Sequence, residues 1–181
     1  MSSEPLFSAA LLERAARIKL LGLDVDGTLT DGRIWIGPEG ETQKAFHVHD
    51  GQGLKLLADA GIAIAWITAR RSAIVERRAA ELGITRIEQG CRSKAEALRR
   101  HCGELGITPE QAAFMGDDLP DRPALRIAGL AAAPANAHPW VAAVAHLQTQ
   151  SRGGEGAVRE LCDLILIAQG QRDALLRTYD A

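Results

Sequence analysis

Short strand-length runs that alternate with segments of helical period constrain this chain more than any other feature. Ile18–Val25 and Ile62–Ile67 read as buried strands, and Arg86–Glu88, Ala112–Met115 and Leu130–Ala133 as shorter ones. Between them, Ser8 caps a helix to about Arg17, Gly53–Ala60 is helical, and Ser72–Leu82 is an Arg-rich amphipathic helix stopped by Gly83. Ser93 caps a helix to Cys102, Thr108-Pro109-Glu110-Gln111 forms a capped turn, Pro139 opens another helix, and Gly156–Gln169 forms a last one. Residues 170–181 are polar and read as loose. Strands joined through helices need right-handed crossovers, so the expectation is an α/β fold: a Rossmann-like three-layer sandwich with a mainly parallel central sheet. One segment breaks the rhythm. Arg33–Ile36, the Gly37-Pro38-Glu39-Gly40 turn and the alternating Glu41–Val48 predict a small β-hairpin flap over about residues 30–49, with His47 and His49 on one face of a solvated strand.

A chain of 181 residues with 46% hydrophobic and 24% charged residues suits a single domain, residues 1–181, with no room for a large cap. Its 21 Lys+Arg against 23 Asp+Glu lack the basic excess of a nucleic-acid binder, so no nucleic-acid partner is expected. No apolar run approaches the roughly 18 residues of a membrane span. Glu4 and Glu13 do not suit a signal peptide, and the three cysteines follow no metal or redox spacing, so a cytoplasmic location is expected.

In open parallel sheets ligands bind at the carboxyl ends of strands. Residues able to do chemistry cluster there: Asp24 and Asp26 after the first strand, Thr68 and Arg70 after the second, Lys94 after the third, Asp117 and Asp118 after the fourth. Residues two apart in an extended tip point the same way, so Asp24 and Asp26 face one pocket, and Gly27 lets the chain turn. Several carboxylates cannot stay charged and close without a cation, and oxygen ligands with a phosphate partner favour Mg²⁺. Lys94 and Thr68 supply donors for an oxyanion. Together these residues describe a phosphoryl-transfer site.

Asp24-Val25-Asp26-Gly27-Thr28, Thr68, Lys94 and Gly116-Asp117-Asp118 resemble the four signature motifs of the haloacid dehalogenase superfamily. The resemblance implies that Asp24 is the nucleophile and that Asp26 is general acid, then base. It implies that Asp24, the Asp26 backbone carbonyl and Asp117 hold Mg²⁺, that Thr68 binds phosphoryl oxygens, and that Lys94 neutralises charge. Asp118 would orient the metal shell or Lys94. Asp121 is a candidate for support behind that shell, or equally a helix-start acid.

A closer resemblance runs from about Ile18 to Gln169. The Trp35 hairpin, Phe46-His47-Val48-His49-Asp50-Gly51, Gln89-Gly90 and Gly153-Gly154-Glu155-Gly156 are similar to the family of 3-deoxy-D-manno-octulosonate 8-phosphate phosphatases. That similarity implies a capless enzyme of lipopolysaccharide biosynthesis acting on a sugar acid phosphate. It also implies a homotetramer in which hairpins meet and each subunit helps cover a neighbour's site. Arg70, Arg159 and His49 are the substrate-binding candidates, Arg159 in the same or a neighbouring subunit. His49 and Ala69 stand where the family usually has Arg and Gly, which bears on substrate preference. A nine-carbon keto acid phosphate and a non-catalytic phosphate-binding regulatory module are the alternatives.

Overall fold

The computed structural model describes residues 7–180, so Glu4 lies outside the described residues. Eight strands are present: β1 Leu20–Leu23, β2 Trp35–Gly37, β3 Gly40–Gln43, β4 Ala63–Thr68, β5 Arg86–Gln89, β6 Ala112–Met115, β7 Leu130–Ala133 and β8 Leu147–Gln148. Six form a parallel sheet in the order β5-β4-β1-β6-β7-β8, while β2 and β3 pair antiparallel as a separate hairpin.

The two-residue period of the strands divides the core into two layers. Leu21, Leu23, Ile64, Trp66, Ala113, Met115, Leu130 and Ala132 pack on one face. Their partners come from the helices α1 Ala9–Ala15, α2 Val48–Asp59, α3 Ala73–Glu81 and α7 Ala157–Ala168. Leu20, Ala65, Ile67, Ala112, Phe114, Ala131 and Ala133 face α4 Lys94–Glu104, α5 Arg122–Ile127 and α6 Pro139–Ala142. Small residues bring the layers close: a Cβ on Gly22 of β1 would stand 3.2 Å from Leu98 Cδ1 of α4.

The three-layer parallel sandwich follows the sequence expectation, with differences at particular elements. The second hairpin arm ends at Gln43, and α2 starts at Val48, ahead of the expected Gly53. His47 is therefore a helix N-cap and His49 lies in the first helical turn, not on a strand. Gly51 and Gly53 are inside the helix because neighbours crowd it: a Cβ on Gly53 would stand 3.1 Å from Cys162 Cβ of α7. The expected loose end is instead α8 Arg172–Tyr179. Leu175 packs against the core, and the Tyr179 hydroxyl accepts from Gln52 Nε2 at 3.0 Å. The short α5 and the two-residue β8 were not signalled by periodicity.

Candidate active site

Parallel register aligns the strand ends that carry the site. Leu23 pairs with both Trp66 and Met115, and Thr68 with Gln89, so the residues that follow β1, β4 and β6 leave the sheet along one edge. Strand order reverses beside β1, with β4 and β5 on one side and β6, β7 and β8 on the other. The crevice this reversal opens is where ligands bind in such sheets.

Asp24, Asp117 and Asp121 meet there, with one carboxylate oxygen from each within 4.8 Å of the others. Lys94 opens α4 and is buried among them, its Nζ 2.6 Å from Asp24 Oδ1 and 2.5 Å from Asp121 Oδ1. Asp121 is only 1% exposed. Its Oδ2 accepts from the backbone N–H groups of Asp117 at 3.0 Å and Asp118 at 3.1 Å. Both of its oxygens are thus engaged in holding Lys94 and the turn after β6. Asp118 is exposed, and its Oδ1 caps that turn by accepting from Leu119 N–H at 2.8 Å. Asp121, not Asp118, is the acid that fixes Lys94.

Glycines make the convergence possible. Gly27 turns at φ +94°, and a Cβ there would collide with the Asp117 carboxylate. The Thr28 hydroxyl donates to Asp117 Oδ1 at 3.5 Å. Behind this turn, the Gly154 N–H donates to the Thr28 carbonyl at 3.0 Å, and Gly153 lies directly against the Gly27 carbonyl.

Asp24 and Asp121 share one buried lysine with Asp117 beside them, and the proton affinities of Asp24 and Asp117 reflect this crowding. Burial pushes Asp24 well above the ordinary carboxylate range; Asp121 adds to the rise and Lys94 opposes it. Asp117 is pushed up to about 6, first by burial and then by Asp121. Burial works against the charge on Lys94, but Asp24 and Asp121 more than offset it and hold Lys94 above its usual value. The donor set of hard carboxylate oxygens with excess negative charge fits a divalent cation such as Mg²⁺. With Asp121 engaged elsewhere, Asp24 and Asp117 are the side chains free to ligate it.

Thr68 ends β4 and is buried; its Oγ1 accepts from the Arg70 N–H at 3.2 Å. Asp26 enters a second charge network that sequence reading missed. Lys44, just past β3, contacts Asp26 Oδ1 and stands 2.8 Å from Glu41 Oε1. Arg70 reaches Asp26 Oδ2 at 3.8 Å and Glu41 Oε1 at 3.5 Å, and the Ser72 hydroxyl donates to Glu41. Burial pushes Glu41 up, but the donors Lys44, Ser72 and Arg70 together hold it below its usual value. The only sequence signal was the Glu41–Lys44 spacing on a hairpin arm whose partners come from distant loops.

Two candidates lie apart from the acids. His49 is exposed, with its ring 4.9 Å from that of His47. Arg159 Nε donates to Asp163 at 2.7 Å, and its backbone N–H donates to Asp50 at 2.8 Å, so it is tied along α7.

Comparison with known proteins agrees with this geometry. Residues 87–161 match the model of the haloacid dehalogenase-like hydrolase family. The 3-deoxy-D-manno-octulosonate 8-phosphate phosphatase of Yersinia pestis is 48% identical over 159 residues, covering 88% of this chain and 85% of the relative. The enzyme of the same name from Escherichia coli K12 is 46% identical, over 92% of this chain and 88% of its own. A crystal structure of 3-deoxy-D-manno-octulosonate 8-phosphate phosphatase from Moraxella catarrhalis, in complex with magnesium ion, phosphate ion and KDO, superposes with a TM-score of 0.93. Its sequence is 46% identical, and the match covers 96% of this chain and 99% of that one. The chain belongs to the 3-deoxy-D-manno-octulosonate 8-phosphate phosphatase family of haloacid dehalogenase-like hydrolases.

Proposed function

We propose that this chain is a Mg²⁺-dependent phosphatase that hydrolyses 3-deoxy-D-manno-octulosonate 8-phosphate through an aspartyl-phosphate on Asp24. The observation that carries this reading is the buried Lys94 bridging Asp24 and Asp121 beside Asp117, at the strand-order reversal. The bound sugar acid and phosphate of the Moraxella catarrhalis relative support the substrate class.

Asp24 Oδ attacks phosphorus as the bond to the sugar C8 oxygen breaks, and Asp26 gives its proton to that oxygen. Water then attacks the phospho-aspartate, Asp26 takes a proton from it, and the Asp24–phosphorus bond breaks to release phosphate. Lys94 offsets charge on Asp24 and the phosphoryl group, and the Thr68 hydroxyl donates to a phosphoryl oxygen. Asp121 keeps Lys94 and the Asp117 turn in place. Asp24, Asp117 and the Asp26 carbonyl would hold Mg²⁺, which would supply positive charge to offset the ionised nucleophile and the phosphoryl oxygens. Asp118 stabilises the turn bearing Asp117.

In this reading Arg70 binds the sugar acid, a role supported by its lying beside Asp26 and Glu41. His49 and Arg159 are contacts for a sugar bound across a subunit boundary. Residues 1–181 act as one phosphatase domain with the hairpin as flap, in a cytoplasmic homotetramer serving lipopolysaccharide biosynthesis. Among the described residues no helix is long and apolar enough to cross a membrane.

The test is phosphate release, with and without Mg²⁺, from eight-carbon and nine-carbon keto acid phosphates, common sugar phosphates and a phosphorylated oligonucleotide. A preference of ~100-fold in kcat/KM for the eight-carbon acid, roughly 2.7 kcal/mol of transition-state binding, is the expected result. Equal or better turnover of the nine-carbon acid withdraws the named substrate. No release from any of them moves the chain to a phosphate-binding module.

A further inference from the structure

We infer that Lys44 is a positioning residue for proton transfer: from the hairpin stem it fixes Asp26 in the orientation that protonates the leaving oxygen. The inference rests on the acid–base reading of Asp26 given above.

Lysine is rarely fully buried unless paired, yet the Lys44 side chain is only 1% exposed. Its ammonium contacts Asp26 Oδ1 and stands 2.8 Å from Glu41 Oε1. Glu41 is itself secured by the Ser72 hydroxyl and by Arg70 at 3.5 Å. Lys44 is therefore anchored from behind by a group that belongs to the hairpin, and its free direction is toward Asp26. A carboxylate three residues past a strand end has rotatable side-chain torsions, and a charge-assisted bond to a buried cation selects one rotamer.

With Oδ1 committed to Lys44, Oδ2, with Arg70 3.8 Å away, is the oxygen through which Asp26 exchanges its proton with the leaving group. When Asp26 passes that proton to the sugar C8 oxygen, it becomes a carboxylate, and the cation that offsets the new charge is already beside it. No reorganisation accompanies the step. The second cation near Asp26, Arg70, is less suited to this role, being half-exposed, 3.8 Å away and shared with Glu41.

The experiment separates leaving groups. A sugar alkoxide needs a proton to depart, whereas an acidic nitrophenol does not. Single-turnover phosphorylation of Asp24 is measured with the sugar acid phosphate and with p-nitrophenyl phosphate, in wild type, Lys44→Met, Lys44→Arg and Asp26→Asn. Lys44→Met is expected to slow the sugar phosphate by roughly 10- to 100-fold and the aryl phosphate by less than about threefold, within the range of general acid catalysis. Lys44→Arg, which keeps a cation at the site, is expected to recover most of the loss. Asp26→Asn should show the same selectivity for the poor leaving group.

Equal slowing of both substrates by Lys44→Met, in a protein with wild-type thermal unfolding, would mean that Lys44 shapes the site generally, and it overturns the inference. If Lys44→Met does not fold, Lys44→Arg and Glu41→Gln carry the comparison, and loss without leaving-group selectivity in both also overturns it. If Asp26→Asn itself lacks selectivity, the acid–base reading of Asp26 fails; if Asp26→Asn is selective and the Lys44 variants are not, only the role of Lys44 fails.

Discussion

Asp24, Asp117 and Asp121 share a crevice with Lys94, and the surplus of acid governs how individual residues respond to pH and metal. Burial and Asp121 raise Asp117 from 3.8 to about 6, so the folded protein holds this proton more tightly than the unfolded chain. The stability linked to that proton is complete below pH 3.8 and is lost as pH rises through about 6. Asp24, raised by burial, moves in the same direction. Metal-free Asp117→Asn is therefore expected to melt higher than metal-free wild type at neutral pH, and Mg²⁺ should no longer raise its melting temperature. Thermal unfolding with and without Mg²⁺ checks both statements, and an undiminished Mg²⁺ effect in the variant removes Asp117 as a ligand. Asp121 and Asp118 are distinguished by turnover. Asp121→Ala strips Lys94 of one partner and leaves two part-buried N–H groups without their acceptor, each costing at most about 1–3 kcal/mol. Turnover should fall roughly 10-fold or more for Asp121→Ala and less than about threefold for exposed Asp118→Ala, in line with the cost of disturbing a buried charge network against a surface cap. The reverse order in kcat would return the supporting role to Asp118.

At the scale of elements, the Gly153–Gly154 loop acts as a backstop to the turn that follows Asp24. A Cβ on Gly153 would collide with the Gly27 carbonyl, and Gly154 lies at φ +70° against Thr30 and Asp31. Gly153→Ala must push the Gly27 turn toward Asp117, at about 1–3 kcal/mol for overpacking. Its activity is expected to drop by more than its stability would explain, read as kcat at a temperature well below the measured melting point. Wild-type kcat in that variant would show that the loop can yield. Legibility from sequence followed the same physics. β6 and β7 were readable to the residue because both faces are buried and each run is bounded by turn chemistry. The start of α2 was not, because the alternation through Val48 reads as strand, while Gly51 and Gly53 sit inside the helix where their smallness serves close packing against Arg78 and α7. α8 was hidden by its polarity, since its docking rests on Leu175 and one side-chain bond to α2. The acids were legible because strand ends in a parallel sheet must converge; Lys44 and Glu41 were not, because their partners Asp26, Arg70 and Ser72 lie on other loops.

At the scale of the whole molecule, the hairpin carries an apolar surface that a single copy does not cover among the described residues. Ile34, Trp35 and Ile36 are 43%, 50% and 77% exposed on a hairpin of only two short strands, a unit that is marginal alone. Paired hairpins from neighbouring copies would cover these side chains and supply the missing edge partners. The Lys44 and Glu41 contacts tie this hairpin to Asp26 and Arg70, so the proposed assembly and the active site would share a structural member. Trp35→Glu combined with Ile36→Glu is therefore expected to convert the proposed tetramer into monomers by sedimentation velocity. The sugar acid phosphate should then lose roughly 10-fold or more in kcat/KM, because the contacts proposed from a neighbour would be gone, while p-nitrophenyl phosphate, which makes no sugar contacts, loses little. An equal loss on both substrates would place the damage in the Asp26 network of the same subunit. Wild-type protein that sediments as a fully active monomer would show instead that the open crevice of a single chain suffices, and that the exposed apolar hairpin serves something other than the reaction.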